Sequence, residues 1–265
     1  MPALIFDCDG VLGDTELDGH LPAFNQTFRE FGVPLEWTPE QYKDLVKIGG
    51  GKERMRSAVT AEVCEALGIE HTDDAIDAEV GKWHRRKSEV YGELVRSGKI
   101  PGRPGVRRLV AEAHDAGWAL AVASTSAEAS VRAVLEHAVG DELAGGFAVF
   151  AGDVVPAKKP DPAIYELALR ELGREPGDAI VVEDSENGVR ASVAAGIRTV
   201  VTVSGTSEDD DFDGATVVVS SLGESGGETT QVLEDPHGVD PAPAPAGVVD
   251  LAALERILAD APTPT

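Results

Sequence analysis

Short runs of apolar residues alternate with amphipathic helical patterns along most of this 265-residue chain. The runs are Ala3–Phe6, Leu120–Ala123, Phe147–Phe150, Ala179–Val182, Thr199–Val203 and Thr216–Val219. Their apolar residues are largely continuous and do not alternate regularly with polar ones, so both faces of each predicted strand are expected to be buried. Such strands are typical of a parallel sheet that helices cover on both sides.

The segments between these strands carry helical periodicity. The predicted helices are Pro104–Ala116, Ala127–His137, Pro162–Leu172, Asn187–Ala195 and Val249–Leu258. In the first of them, Val106, Leu109, Val110 and Ala113 fall on one face. Strands that alternate with helices predict an α/β fold with a doubly wound parallel-sheet core of the Rossmann-like type.

Residues 17–96 break this alternation, because they contain helical patterns and no convincing strand. The helical patterns there are Leu21–Phe31, Glu53–Leu67 and Asp74–Val95. We therefore predict a small helical domain inserted after the first strand, with residues 1–16 plus 97–265 forming the α/β core. The polar segment 222–247 is rich in Gly and Pro, and we predict a mobile surface loop there.

Composition excludes several classes of partner. The formal net charge of -24 argues against binding to nucleic acid or to an anionic membrane surface. No apolar run approaches the length of a membrane span, and no secretory signal is visible. The two cysteines, Cys8 and Cys64, do not suggest a disulfide framework, so a cytoplasmic location is expected. A monomer is the default expectation for the oligomeric state.

Polar residues follow three predicted strands at the point where each strand ends. They are Asp7 and Asp9 after the first, Ser124 and Thr125 after the second, and Glu183 and Asp184 after the fourth. Doubly wound sheets bind ligands beyond the carboxyl ends of their strands. Residues two apart on an extended segment point to the same side, so Asp7 and Asp9 can address one site while Cys8 points into the core. Carboxylates without His or Cys suit Mg²⁺, and a bound cation would relieve their mutual repulsion.

A cation and two hydroxyls extend this set. Lys159, which Pro160 stiffens into a loop, carries a compact charge suited to a phosphate or a carboxylate, although a solvated lysine is the commoner case. Ser124 and Thr125 precede a predicted helix, where hydroxyls and backbone N–H groups can hold a phosphate. A plain helix cap is the alternative for these two residues.

Four motifs together resemble a known superfamily. In chain order they are Asp7-x-Asp9-Gly10-Val11, Ser124 at a strand end, Lys159-Pro160 and Glu183-Asp184-Ser185. The order is similar to that of the haloacid dehalogenase superfamily, phosphatase and phosphomutase branch, and the helical insertion resembles its small cap. The stretches KIGGGKERM, FAGDVVPAKKPDPAIY and VVEDSENG resemble CbbY-type sugar-bisphosphate phosphatases, which are similar to β-phosphoglucomutase and hydrolyse xylulose bisphosphate.

The resemblance implies a covalent mechanism. Asp7 would attack phosphorus to form an aspartyl-phosphate, and Asp9 would protonate the leaving oxygen and then take a proton from water. Ser124 would hydrogen-bond a phosphoryl oxygen, and Lys159 would neutralise its charge. The implied Mg²⁺ ligands are the Asp7 side chain, the Asp9 backbone carbonyl and Asp184, with Glu183 bound directly or through water.

Residues of the helical domain are expected to choose the substrate. Lys52 and Arg54 follow the flexible turn Gly49–Gly51 and offer cations for a second phosphate, and Arg suits bidentate contact. Glu16 and His20 are candidates for sugar contact, with a packed or solvated role as the alternative. WHRRK, residues 83–87, is interpreted as a solvated helix face, with a cation that faces the cleft as the alternative.

Three other functions compete with a Mg²⁺-dependent phosphatase for a small sugar phosphate. A phosphomutase would use the same Asp7 chemistry but pass the phosphoryl group to a second hydroxyl. A non-catalytic phosphosugar-binding protein is disfavoured because every expected catalytic group is present. A dehalogenase is disfavoured because Asp9 and the acids Glu183 and Asp184 belong to the phosphoryl-transfer version of the motifs.

Overall fold

A computed structural model describes residues 1–98 and 100–264 of the chain. The chain divides into two compact units, one formed by Met1–Asp14 with Pro101–Thr265 and the other by Thr15–Ile100. These divisions lie a few residues from the boundaries expected from the sequence, which were placed after residues 16 and 96.

The first unit is built on a seven-stranded sheet with the strand order β3-β2-β1-β4-β5-β6-β7. Its strands are β1 (Ala3–Phe6), β2 (Ala119–Ser124), β3 (Phe147–Ala151), β4 (Ala179–Glu183), β5 (Arg198–Thr202), β6 (Val217–Val219) and β7 (Val232–Glu234). Strands β1 to β6 run parallel, and β7 is antiparallel to β6. The predicted doubly wound α/β core is confirmed.

Most of the predicted helices match observed ones to within a few residues, but two short helices, Pro39–Leu45 and Asp141–Ala144, were not predicted. The observed helices are α1 (Leu21–Phe31), α2 (Pro39–Leu45), α3 (Gly51–Ser57), α4 (Ala61–Leu67), α5 (Asp73–Arg96), α6 (Val106–Asp115), α7 (Glu128–Val139), α8 (Asp141–Ala144), α9 (Ala163–Leu172), α10 (Glu186–Ala194) and α11 (Leu251–Asp260). A π-helical turn spans Glu16–His20, and a 3₁₀ turn spans Pro176–Asp178. Among the helices in the described ranges, none has both the length and the apolar composition needed to cross a bilayer.

The sheet core explains why the strands are continuously apolar. Strand β1 lies between β2 and β4, and all four of its residues are fully buried. On one face of the sheet, Ile5, Ala121 and Val181 pack in a cluster with Ile164 and Ala168 of α9. Because β1, β2 and β4 are parallel neighbours, their carboxyl ends lie side by side.

The second unit is helical, and its described residues contain no strand. Aromatic side chains fill its core, including Phe24, Phe28 and Trp37. The single helix predicted over Glu53–Leu67 is wrong, because the structure divides it into α3 and α4. Thr60 starts α4 as its N-cap, where the side-chain oxygen accepts a hydrogen bond from the Val63 N–H at 3.4 Å.

Segment 222–247 is not entirely the predicted loop, because it contains the short strand β7. Val219 pairs with Val232, and Val218 pairs with Glu234. The side chains of Val232 and Leu233 are 42% and 52% exposed, so this strand leaves no burial pattern in the sequence. A polar composition therefore concealed a short edge strand.

Candidate active site at the carboxyl ends of the central strands

Lys159 joins two of the predicted acids. Its Nζ atom lies 2.7 Å from Asp7 Oδ1 and 2.7 Å from Glu183 Oε1, and it also donates to the Ala123 carbonyl at 2.9 Å. Asp7 directly follows β1, and Glu183 is the last residue of β4. The sheet therefore brings together three side chains that lie far apart in the sequence.

Asp184 completes a buried carboxylate cluster. Asp7, Glu183 and Asp184 each offer an oxygen within 4.8 Å of the others. Gly10 makes this approach possible, because it has φ +80° and a Cβ atom built there would lie 1.9 Å from Asp184 Oδ2. The glycine of the DGV stretch is thus fixed both by backbone conformation and by the closeness of Asp184.

Burial disfavours the charged forms of these acids. Burial raises the pKa of Asp7 to about 7; Lys159 opposes this shift, and the charges of Glu183 and Asp9 add to it. Burial also raises the pKa of Asp184 well above its usual value, and Glu183 and Asp7 raise it further. For Lys159, burial alone lowers the pKa, but Asp7 and Glu183 outweigh it and the net pKa is raised. When ionised, the three acids carry more negative charge than the one ammonium group of Lys159 balances, so the site favours the protonated forms of Asp7 and Asp184 until a cation binds.

The donor set fits a hard divalent cation. Carboxylate oxygens are the ligands that Mg²⁺ prefers, and a cation would relieve the repulsion that raises the acids' pKa values. Glu183 already accepts hydrogen bonds on both oxygens: Oε1 from Lys159 and Tyr165, and Oε2 from the Asp184 N–H at 3.0 Å. Asp7 and Asp184 are therefore better placed as ligands, and Glu183 orients Lys159.

Asp9 lies beside the hydroxyls that follow β2. Ser126 Oγ donates to Asp9 Oδ2, and the Ser126 N–H donates to Ser124 Oγ at 3.2 Å. Ser124 is buried at the end of β2, and Thr125 is half-buried in the turn that follows. Ser126 was not among the predicted residues. The only sequence signal for it is a third hydroxyl residue in the run STS.

Two further residues support the cluster without having been predicted. Tyr165 donates to Glu183 Oε1 at 2.5 Å, and Lys159 Nζ lies 4.8 Å from the centroid of its ring. Gly188, near the start of α10, leaves room for Glu183, because a Cβ there would lie 2.0 Å from the carboxyl group. Tyr165 is six residues after Lys159 in the sequence, but that spacing does not reveal the contact with Glu183.

In the helical unit, Arg54 is a buried member of an ion pair. Its Nη1 lies 3.3 Å from Glu16 Oε2, and it also donates to the Tyr42 hydroxyl. Tyr42 in turn donates to Glu16 Oε2 at 2.5 Å. Burial alone lowers the pKa of Arg54, but Glu16 and Tyr42 more than offset it, so the net pKa is raised. Lys52, on the same helix, is exposed.

His20 is also buried in the helical unit, where its ring stacks on Tyr91 with centroids 3.9 Å apart. Its Nδ1 atom lies 2.5 Å from Lys87 Nζ. The prediction that residues 83–87 form a solvated face is wrong at both ends, because Trp83 and Lys87 are 2% and 5% exposed. They are four residues apart on α5, and so they share its inner face.

Comparison with known proteins identifies the family of the chain. The family model described as haloacid dehalogenase-like hydrolase matches residues 1–196. A CBBY-like protein of Arabidopsis thaliana is 44% identical over 226 residues, covering 84% of this chain and 69% of the relative. The plasmid-encoded protein CbbY of Cupriavidus necator is 42% identical over 228 residues, covering 84% of this chain and 87% of the relative.

Solved structures give the same relationship. CbbY from Rhodobacter sphaeroides in complex with phosphate has a TM-score of 0.72 and 39% identity, covering 83% of this chain and 95% of that one. A mutant of the same protein in complex with xylulose-1,5-bisphosphate has a TM-score of 0.73 and 39% identity, covering 86% and 97%. A putative β-phosphoglucomutase from Thermotoga maritima has a TM-score of 0.56 and 28% identity, covering 77% and 86%. The chain belongs to the haloacid dehalogenase-like hydrolase family, in which it is a phosphatase similar to the CbbY proteins.

Proposed function

We propose that this protein is a Mg²⁺-dependent phosphatase that hydrolyses xylulose-1,5-bisphosphate through an aspartyl-phosphate on Asp7. The observation that carries the proposal is the buried cluster in which Lys159 bridges Asp7 and Glu183 beside Asp184. The sugar is suggested by the similar CbbY protein whose structure holds that bisphosphate.

Asp7 is the proposed nucleophile. One of its carboxylate oxygens bonds to phosphorus while the bond from phosphorus to the sugar oxygen breaks. Lys159 fixes the orientation of this carboxylate through Oδ1 and keeps a positive charge beside the phosphoryl group. Ser124, buried at the end of β2, is proposed to donate to a phosphoryl oxygen, with Thr125 beside it.

Asp9 is the proposed proton carrier. In the first step its carboxyl group gives a proton to the departing sugar oxygen. In the second step it takes a proton from water, whose oxygen attacks phosphorus and releases phosphate and the free Asp7 carboxylate. The hydrogen bond from Ser126 to Asp9 Oδ2 holds the carboxyl group at one orientation during both transfers.

The residues that would hold Mg²⁺ are Asp7, Asp184 and the Asp9 backbone carbonyl, with Glu183 behind them. When bound, the ion supplies positive charge that lowers the repulsion between anionic Asp7 and an anionic substrate. The fit rests on the three acids, whose oxygens lie within 4.8 Å of one another.

The helical unit is proposed to select the substrate. Lys52 is the exposed cation assigned to the second phosphate, and Arg54 belongs to the same helix, α3. Arg54, Glu16 and Tyr42 form a connected polar group, which suits recognition of a polar sugar better than a single mobile side chain does. His20 is the remaining candidate for sugar contact.

A phosphomutase is the second candidate, because a putative β-phosphoglucomutase shares this fold at 28% identity. Phosphate release from a panel of sugar mono- and bisphosphates, followed with Mg²⁺ and with EDTA, separates the two activities. Metal-dependent release that prefers xylulose-1,5-bisphosphate supports the proposal. Isomerisation of a hexose phosphate without net release of phosphate would contradict it and favour the mutase.

We further propose that the enzyme acts as a monomer in the cytoplasm. Both cysteines, Cys8 and Cys64, are buried free thiols, which suits a reducing compartment. Size-exclusion chromatography with light scattering tests the monomer, and a dimer would contradict it.

A further inference from the structure

The guanidinium group of Arg103 collects backbone carbonyls from three segments of the α/β unit. Nη1 donates to the carbonyl of Gly10 and, at 2.9 Å, to that of Thr202. Nη2 donates to the carbonyl of Val203 at 2.6 Å and to that of Ser220 at 3.2 Å. The side chain therefore ties the loop after β1 to the ends of β5 and β6.

The backbone around Arg103 reinforces the same connection. The Arg103 N–H donates to the Leu12 carbonyl at 3.0 Å, and Gly102 forms a bridge with Gly13. The loop is also closed on itself, because the Gly10 N–H donates to the Gly13 carbonyl at 2.9 Å. Gly102 and Arg103 therefore hold the loop that carries Asp9.

The position of the Gly10 peptide matters for the acids. Gly10 is packed so closely against Asp184 that a Cβ atom would lie 1.9 Å from the carboxylate. The Gly10 nitrogen is bonded to the Asp9 carbonyl carbon, and that carbonyl is a proposed Mg²⁺ ligand. A shift of the Gly10 carbonyl would change the separation between the Asp9 carbonyl and Asp184.

We propose that Arg103 is a positioning residue that sets the affinity of this site for a divalent cation: by holding the Gly10 carbonyl it fixes Gly10, and with it the adjoining Asp9 carbonyl, against Asp184. The inference rests on the proposed function for the identity of the ligands. Arginine suits the task because its planar fork can reach two carbonyl directions at once, whereas lysine offers one compact charge. Substitution in the second layer of a metal site typically weakens metal binding or activity by about ten- to hundredfold.

The positive charge of Arg103 is expected to change the affinity for a cation in the opposite direction to its positioning of Gly10. A fixed positive charge near a cation site weakens cation binding by repulsion, so removing the charge alone would tighten it. Positioning and charge therefore predict opposite outcomes for a neutral substitution. Arg103→Met removes both the positive charge and the paired N–H donors of the guanidinium group. Arg103→Lys removes the paired donors and keeps the charge.

Arg108 provides the matched control. Its Nη2 atom donates to the carbonyls of Leu222, Gly223 and Val249, each at 3.0 Å, and its Nη1 atom lies 3.0 Å from Glu112. It is thus another arginine that clasps several carbonyls in the same unit, but those carbonyls belong to segments away from the loop after β1.

Isothermal titration calorimetry with Mg²⁺ tests the inference on the wild type and on Arg103→Lys, Arg103→Met, Arg108→Lys and Arg108→Met. We expect the Kd for Mg²⁺ to rise about tenfold or more in both Arg103 variants. The Arg108 variants should stay within about twofold of the wild type even where their melting temperature falls.

Tighter or unchanged binding in Arg103→Met would overturn the inference, and so would equal weakening in the Arg108 variants. Failure of both Arg103 variants to fold, while the Arg108 variants fold and bind normally, would assign Arg103 a purely structural role. Because the readout is Mg²⁺ binding, it is independent of the substrate. A wild type that binds Mg²⁺ in an Arg103-dependent way but hydrolyses no sugar phosphate would contradict the proposed function and leave this inference standing.

Discussion

Asp7 is held in an environment that favours its protonated form when no cation is bound. Burial raises its pKa to about 7 from the ordinary value of 3.8, despite the ammonium group of Lys159 at 2.7 Å. Between these two values the folded chain keeps a proton that the unfolded chain has released. The contribution of Asp7 to stability therefore falls as the pH rises through this window, and it is at its lowest above about pH 7.

Asp7→Asn should reverse this penalty, because the amide has nearly the same shape and no charge. In EDTA at about pH 8 we expect the variant to melt at a higher temperature than the wild type, and the difference should shrink toward about pH 4. Thermal melts over a pH series measure both effects. A variant less stable than the wild type at pH 8 in EDTA would contradict this account of Asp7.

Ser126 should matter for turnover because it holds Asp9. Ser126→Ala removes that hydrogen bond and is expected to lower kcat about tenfold, whereas Asp9→Asn removes the proton carrier and should cost about 10²- to 10⁴-fold. The measurement is kcat for a substrate with a poor leaving group. Ser97→Ala, which removes a hydroxyl at the end of α5, serves as the control. Wild-type rates in Asp9→Asn would rule out its proposed role.

The sequence indicated the charged residues of the site but not the residues that hold them. Asp7 and Asp184 were recognisable because carboxylates at strand ends need a partner, and Lys159 because Pro160 places this cation in a stiff loop. Ser126 is separated from Asp9 by 117 positions in the sequence, and Arg103 from Gly10 by 93. Such contacts depend on the strand order, and neither side chain has a local pattern that reveals them.

At the scale of elements, the junction between β4 and α10 controls the position of Glu183. Gly188→Ala would place a Cβ atom 2.0 Å from the Glu183 carboxyl carbon, so that side chain and its hydrogen bond to Lys159 must move. We expect loss of most activity and a lower melting temperature. Gly177→Ala is the matched control, because a Cβ there meets nothing within 4 Å. Equal behaviour of the two variants would show that this junction does not position Glu183.

Periodicity predicted the elements of the α/β unit well because each strand there is buried on both sides. Periodicity did not predict the features that a helix cap or the pairing of two strands determines. The break between α3 and α4 depends on the cap at Thr60, and a continuous helical pattern over Glu53–Leu67 concealed it. Strand β7 was missed because Val232 and Leu233 face solvent, so pairing with β6 gives it no apolar signature.

At the scale of the whole molecule, a chain with a net charge of -24 must concentrate positive charge where an anionic substrate binds. Lys159 does so in the α/β unit. In the helical unit Arg54 is paired with Glu16 and Tyr42, so Arg54→Ala would remove the ion pair of the half-buried Glu16 carboxylate as well as a cation. Lys52 is exposed and allows a cleaner test of second-phosphate recognition.

Lys52→Ala should raise KM for a sugar bisphosphate about tenfold, with a much smaller change for the corresponding monophosphate. The melting temperature should not change. Lys82→Ala removes another exposed lysine of the helical unit, one that pairs with Glu79, and should affect neither substrate. Equal changes in KM for the two substrates would mean that Lys52 does not bind the second phosphate.

The central claim is that Asp7, in a cluster completed by a divalent cation, removes a phosphate from xylulose-1,5-bisphosphate. Its most direct test is phosphate release from that sugar by the wild type and Asp7→Asn, each with Mg²⁺ and with EDTA. The account predicts one phosphate released per substrate molecule by the wild type with Mg²⁺, and negligible release in the other three conditions. Turnover that survives in Asp7→Asn, or that EDTA does not reduce, would contradict it.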